Sequence, residues 1–172
     1  SVERSLRIAR YKSGKYTIER PLHLGAVIAR PTATEHSELL NVLSAYGLPL
    51  GEAFQLRDDM LGIFGDPETT GKPAGDDLRE GKRTVLMAMT MEMATDAARA
   101  ELSANLGKPD LSPEKIESLR ALIIDTGAIA SVEKLIDRLG EESVAAANSA
   151  AINENARPFL LALAETAIRR SY

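Results

Sequence analysis

Apolar residues recur at helical spacing from Glu35 to Phe64, and a helix of that length limits the folds that can bury it. Thr34 is placed to cap its start, with Leu39, Leu40, Val42, Leu43 and Tyr46 on the inward side. Gly47-Leu48-Pro49-Leu50-Gly51 interrupts the run. We read a kink there, not a domain boundary, because the period resumes through Ala53, Phe54, Leu56 and Leu61. Gly65-Asp66-Pro67 stops the helix.

The same period governs the rest of the chain, and no stretch alternates like a strand. Residues 2–19 read as helix, with Leu6, Ile8 and Ala9 apolar. Pro21 opens a short helix carrying Leu22, Leu24, Val27 and Ile28. Residues 66–81, with Pro67, Gly71, Pro73, Gly75 and Gly81, read as a structured loop. A methionine-rich helix follows through Leu86, Met87, Met89, Met91 and Met93, most simply as adaptable packing. Ser112-Pro113-Glu114 marks a helix start. Gly127 breaks the chain before an alanine-rich helix to about Asn153 with Val132, Leu135, Ile136, Leu139 and Val144 as its stripe. Pro158 opens the last helix, Phe159 to about Arg169. The expected fold is all-α, in one domain over residues 1–172.

Bulk properties exclude several functions. A net charge of −4 and an isoelectric point near 5.3 argue against non-specific nucleic-acid binding. No cysteine means no disulfide frame and no thiolate metal site, which fits a reducing compartment. No apolar run approaches the roughly 18 residues of a membrane span. The N-terminus lacks a secretory pattern and starts Ser1-Val2-Glu3-Arg4, already helix-like, which hints at a segment of a longer protein.

Three clusters can carry chemistry. Gln55, Asp58 and Asp59 sit three and four residues apart, on one face of a helix. Two acids near a helix C-terminus oppose the macrodipole and cost stability unless a cation meets them. The bland alternative is a solvated pair. Next comes a glycine-rich loop with Lys72, Gly75, Asp77 and Lys82. It is not a Walker A loop, since Pro73 replaces the required hydroxyl residue. Asp76-Asp77-Leu78-Arg79-Glu80 reads as loop closure, with Arg79 and Lys82 as local partners. The third cluster is Lys12-Ser13-Gly14-Lys15-Tyr16-Thr17, which alone would be a solvated helix face. His23 and His36 are isolated and read as core or surface histidines. Carboxylates beside lysines suit a polyphosphate carried by a divalent metal.

In this order, the clusters closely resemble the C-terminal half of trans-isoprenyl (polyprenyl) diphosphate synthases, a family that includes geranylgeranyl and farnesyl diphosphate synthases. The resemblance runs from Arg10-Tyr11-Lys12 through the final helices and is most specific at Phe54-Gln55-x-x-Asp58-Asp59 and from Phe64-Gly65-Asp66-Pro67 to Lys82. It implies an antiparallel helix bundle of the isoprenoid synthase type. Asp58 and Asp59 match ligands of Mg²⁺ bridged to an allylic diphosphate. Lys12, Lys72 and Lys82 match lysines that clamp the diphosphate and stabilise its departure; Ser13, Gln55 and Asp77 match residues that support binding. The family's DDxxD pattern has a third acid where this chain has Gly62. The first aspartate-rich motif of the family has no counterpart here, so the resemblance implies a domain lacking its N-terminal helices.

The implied activity is condensation of an allylic diphosphate with isopentenyl diphosphate. Metal and lysines stabilise the leaving diphosphate while apolar helix faces exclude water. A cytoplasmic homodimer with no membrane span and no nucleic-acid partner goes with it. Two other readings stand beside it: a non-catalytic truncated paralogue or partner-binding subunit of a synthase, and a terpene cyclase, whose usual second metal motif is not found here.

Overall fold

The structure is a computed structural model that describes residues 1–29, 36–66, 68 and 75–169. Every regular element among these residues is helical. In order they are α1 (Val2–Ala9), a π-helical stretch (Arg10–Glu19), α2 (Arg20–Ala29), α3 (His36–Phe64), α4 (Asp76–Glu80), α5 (Val85–Met93), α6 (Asp96–Asn105), α7 (Pro113–Asp125), α8 (Ala128–Ala147) and α9 (Arg157–Ile168). Among the described residues no helix is long and apolar enough to cross a membrane.

Local chemistry explains most boundaries. Thr84, Thr95 and Ser112 each turn a hydroxyl onto a backbone N–H at a helix start: Met87 at 3.1 Å, Ala98 at 3.3 Å and Lys115 at 3.3 Å. Pro113 and Pro158 sit in first turns, where a missing N–H is harmless. Gly127 closes α7 with φ +76°. Two expectations change. α8 ends at Ala147 instead of near Asn153. Asn148 there donates its side-chain amide to the Val144 carbonyl at 3.0 Å, and Ser149 Oγ accepts from Ala151 N at 3.2 Å. Such local bonds compete with the helical ladder. Residues 66–81 are not loop throughout, because α4 forms within them.

The chain divides into two compact units. One contains residues 6–55 and 135–170. Its core gathers Tyr46, Leu50, Ala147, Ala164 and Ala167, with Ile18, Leu22, Phe54 and Leu160 packed against them. Tyr46 is fully buried, and its hydroxyl donates to the Leu160 carbonyl at 2.8 Å. Burial pushes that phenol up to about 12. His23 is half-buried, its Nε2 3.0 Å from both the Leu40 carbonyl and Ser44 Oγ, as expected of a structural histidine. The other unit contains residues 1–5 and 56–134. It buries Met60, Ile63, Leu78, Leu86, Leu102, Ile116, Leu119 and Ile123 completely or nearly so.

α3 continues through Pro49. The glycines flanking that proline have a packing reason. A Cβ on Gly47 would lie 3.1 Å from Glu19 Cα, and one on Gly51 would lie 2.5 Å from Gly14 Cα and 2.6 Å from the Ser13 carbonyl. The π-helical stretch therefore crosses α3 backbone to backbone, on the face where glycines recur one turn apart. Its own winding is visible in Arg20 N–H, which donates to the Lys15 carbonyl five residues back. Gly14 and Glu19, also five apart, are both buried.

Candidate functional site

In the unit holding residues 6–55, the glycine crossing sets the position of Ser13. Ser13 is buried, and its Oγ donates to Gln55 Oε1 at 2.6 Å. Gln55 lies one turn beyond Gly51, so the close backbone approach at Gly51 delivers the hydroxyl to the amide. Lys12 is exposed, and its ammonium makes no hydrogen bond or ion pair among the described residues. Lys15 instead sits 5.3 Å over the Tyr11 ring. On the same crossing, Arg10 pairs with Glu52 at 3.1 Å. Burial raises the Glu52 pKa, and the Arg10 guanidinium opposes that rise.

In the other unit the two adjacent acids meet different surroundings. Successive residues of a helix point about 100° apart. Asp58 is exposed and makes no hydrogen bond or ion pair among the described residues. Asp59 is 8% exposed, turned to the inner side of α3 with Met60. Arg57 precedes them and is also buried, gripping Glu133 of α8 with two hydrogen bonds of 2.6 and 2.8 Å. That pair was not anticipated. A lone arginine in an apolar helix is the one signal the sequence offers, and its partner lies far along the chain.

α4 brings a third carboxylate. Gly75 and Gly81 bracket this short helix with φ of +69° and +63°, conformations that glycine adopts without cost. Between them Leu78 is fully buried, and its carbonyl accepts from Gly107 N–H at 3.0 Å. Asp77 is 5% exposed and rests against Gly62 of α3: a Cβ at 62 would lie 2.8 Å from Asp77 Oδ1 and closer still to Oδ2 and Cγ. Lys82 Nζ donates to Asp77 Oδ1 at 2.5 Å and lies 2.9 Å from Glu80 Oε2. The hydrogen bond to Asp77 is the main reason its pKa is raised above the ordinary lysine value. Lys82 is thus one of the partners expected for the acidic run, and Arg79 donates to the Leu111 carbonyl at 3.3 Å. Lys72 and the side chain of His36 lie outside the described residues.

The donor set is all oxygen carboxylate, which suits a hard cation such as Mg²⁺. Among the described residues no group of three or more histidines, aspartates or glutamates forms a cage for a metal. Mg²⁺ does not need one, since it keeps waters and binds through one or two carboxylates together with substrate phosphates. An exposed, unengaged Asp58 fits that mode.

Residues 1–123 match the polyprenyl synthetase family, and the chain belongs to it. It is 37% identical to geranylfarnesyl diphosphate synthase of Aeropyrum pernix over 72% of this chain and 36% of the relative. Against geranylgeranyl diphosphate synthase of Mycobacterium tuberculosis it is 32% identical over 86% of this chain and 40% of the relative. The fold matches the crystal structure of geranylgeranyl pyrophosphate synthase from Corynebacterium glutamicum complexed with isoprenyl diphosphate and magnesium. That match has a TM-score of 0.92 and 45% identity, over 99% of this chain and 47% of the other. The chain spans less than half the length of each of these proteins.

Proposed function

We propose that this chain binds the diphosphate of an allylic diphosphate together with Mg²⁺, as part of a prenyltransferase that joins the allylic group to isopentenyl diphosphate. The observation that carries the reading is the division of labour between Asp58 and Asp59: the first exposed and unengaged, the second buried in the same helical turn. A buried acid anchors; an exposed one can ligate. The Corynebacterium glutamicum synthase, 45% identical over nearly the whole of this chain, was crystallised with isoprenyl diphosphate and magnesium, which supports both ligands.

The roles follow from side-chain chemistry. Asp58 is the metal ligand, with Asp59 behind it. A bound Mg²⁺ would supply neutralising charge to the diphosphate oxygens. Lys12, Lys72 and Lys82 are the candidate diphosphate-binding cations, matching the family's clamping lysines, and such charges favour departure of a diphosphate. Ser13 and Gln55 support the binding region through their mutual hydrogen bond, and Asp77 holds Lys82. In the transfer the allylic C–O bond breaks, a C–C bond forms to the double bond of isopentenyl diphosphate, and a proton leaves the new product.

The absence of cysteine supports a cytoplasmic setting. A homodimer is supported by α2, which buries no residue and exposes Leu24 at 62% and Ile28 at 68%. The same face keeps the partner-binding subunit open as a second reading. Calorimetry with geranyl diphosphate decides between them. Binding that requires Mg²⁺ and falls at least tenfold in Asp58→Ala supports the enzyme reading; a tenfold loss corresponds to about 1.4 kcal/mol. No binding in wild type, or equal binding in the variant, sinks it.

A further inference from the structure

We propose that Glu133 is a positioning residue for the candidate metal ligand Asp58, acting through Arg57: its carboxylate holds the guanidinium against α8 and balances its charge, so that a divalent cation can approach Asp58 without a competing cation beside it. The inference rests on the Mg²⁺ and diphosphate reading above.

Arg57 is out of place on packing grounds alone. It is 8% exposed, and Leu56, Met60 and Ile63 around it on α3 are apolar and buried. An apolar side chain would suit that position at no loss of stability, since hydrophobic packing often equals or betters a buried ion pair. The pair is therefore poorly explained as a staple of the fold.

Its location makes the charge matter. Arg57 and Asp58 are successive residues of one helix, so their side chains lie within its width of about 10 Å. Salt screens charges beyond roughly 8 Å, and less so where they are buried. An unbalanced guanidinium at this range would repel a divalent cation on Asp58.

Glu133 supplies the balance with a fixed geometry. Arg57 Nη1 donates to Oε1 at 2.6 Å and Nη2 to Oε2 at 2.8 Å, so both carboxylate oxygens take part. A two-point fork of this kind sets orientation as well as distance. The two partners are unequally buried. The Glu133 side chain is 35% exposed and that of Arg57 only 9%. If the pair is broken, the carboxylate can turn to water, whereas the guanidinium stays beside the metal ligands. Removing the acid and removing the base should therefore have opposite effects on metal binding.

The test titrates inorganic pyrophosphate into the full chain by calorimetry at a series of Mg²⁺ concentrations. Melting temperatures are measured on the same samples. Glu133→Gln keeps the shape and takes away the balancing charge. The Mg²⁺ concentration for half-maximal binding should rise about tenfold, the scale of coupling within one charge network. Arg57→Met takes away the cation, and Mg²⁺ affinity should hold or tighten by up to about threefold although the pair is gone. The double variant should return to within about twofold of wild type. A merely structural pair would instead make Mg²⁺ affinity follow melting temperature in all three. Raising KCl should also shrink the Glu133→Gln deficit, which a structural role would not do. Should Glu133→Gln fail to fold, Arg57→Met and the double variant carry the test, since neither leaves the guanidinium facing a neutral partner. Wild-type Mg²⁺ affinity in Glu133→Gln, or a loss beyond about twofold in Arg57→Met, overturns the role of Glu133 and leaves the diphosphate reading intact. No Mg²⁺-dependent pyrophosphate binding by wild type overturns both.

Discussion

Gly51 and Gly62 lie on the same helix and do opposite things with the space their missing side chains leave. At Gly51 the space is filled by backbone: Gly14 Cα and the Ser13 carbonyl. At Gly62 it is filled by the end of a charged side chain, the Asp77 carboxylate. Backbone cannot step aside without moving a helix, whereas a carboxylate can rotate away. The first glycine sets architecture; the second sets the position of one charge. The comparison predicts that the same Gly→Ala change separates stability from ligand affinity according to where on α3 it is made.

The largest expected effect is on the architectural side. Gly51→Ala puts a methyl 2.5 Å from Gly14 Cα, and the crossing must open to admit it. Overpacking of this kind costs roughly 1–3 kcal/mol, and a contact with backbone on both sides belongs at the top of that range. Urea titration should show the loss as a lower midpoint at unchanged slope. Because Ser13 reaches Gln55 only through this crossing, their hydrogen bond should weaken as well. An alanine tolerated within about 0.5 kcal/mol would mean that the backbone contact is not what fixes the crossing, and the contrast with Gly62 would collapse.

The two glycines were not equally legible in the sequence. Gly47 and Gly51 stood out as a break in periodicity, and the helix does continue through them, but the reason for small residues there was invisible. It depends on Glu19, 28 positions before Gly47, and on Gly14, 37 positions before Gly51. The π winding that brings Ser13 and Gly14 inward was equally hidden. A five-residue recurrence completes too few repeats between Arg10 and Glu19 to be distinguished from an α-helix. Caps were legible because they are local: Ser112-Pro113 announces α7 within four residues. α6 went unread, although Thr95 caps it by the same bond. At the candidate site, residue types and order were readable. The exposure that divides Asp58 from Asp59 was not, nor was the seating of Asp77 on Gly62, since both are set by packing.

A middle-sized effect sharpens the comparison by probing the architectural unit away from its glycines. Tyr46 lies one turn before Leu50 on α3, and its hydroxyl is spent on the Leu160 carbonyl. Tyr46→Phe keeps the ring and strands that acceptor, at about 1–2 kcal/mol. The pH dependence has a definite sign. The folded-state pKa, about 12, exceeds the ordinary value of 10.0, so the contribution is fully present below about pH 10. It is then lost as pH rises toward 12, because only the neutral phenol is comfortable in the core and only it can donate. Thermal melts of wild type should fall more steeply across that window than those of the phenylalanine variant. Parallel curves would show that the phenol is not buried as described.

The smallest effect supplies the reference for both glycines. Gly25 lies within α2, and a Cβ there would meet nothing within 4 Å. With neither backbone nor carboxylate to displace, Gly25→Ala should express only the intrinsic difference between the two residues in a helix. Alanine loses less conformational entropy on folding, so the variant should be more stable by about 0.5–1 kcal/mol. Subtracting that gain from the Gly51 and Gly62 results isolates what each contact contributes beyond helix propensity. A destabilised Gly25→Ala would mean that the exposed face of α2, with Leu24 and Ile28 beside the glycine, is already covered in solution by another surface. The added methyl would then probe an interface, and its cost should vary with protein concentration, as expected for an association that breaks on dilution.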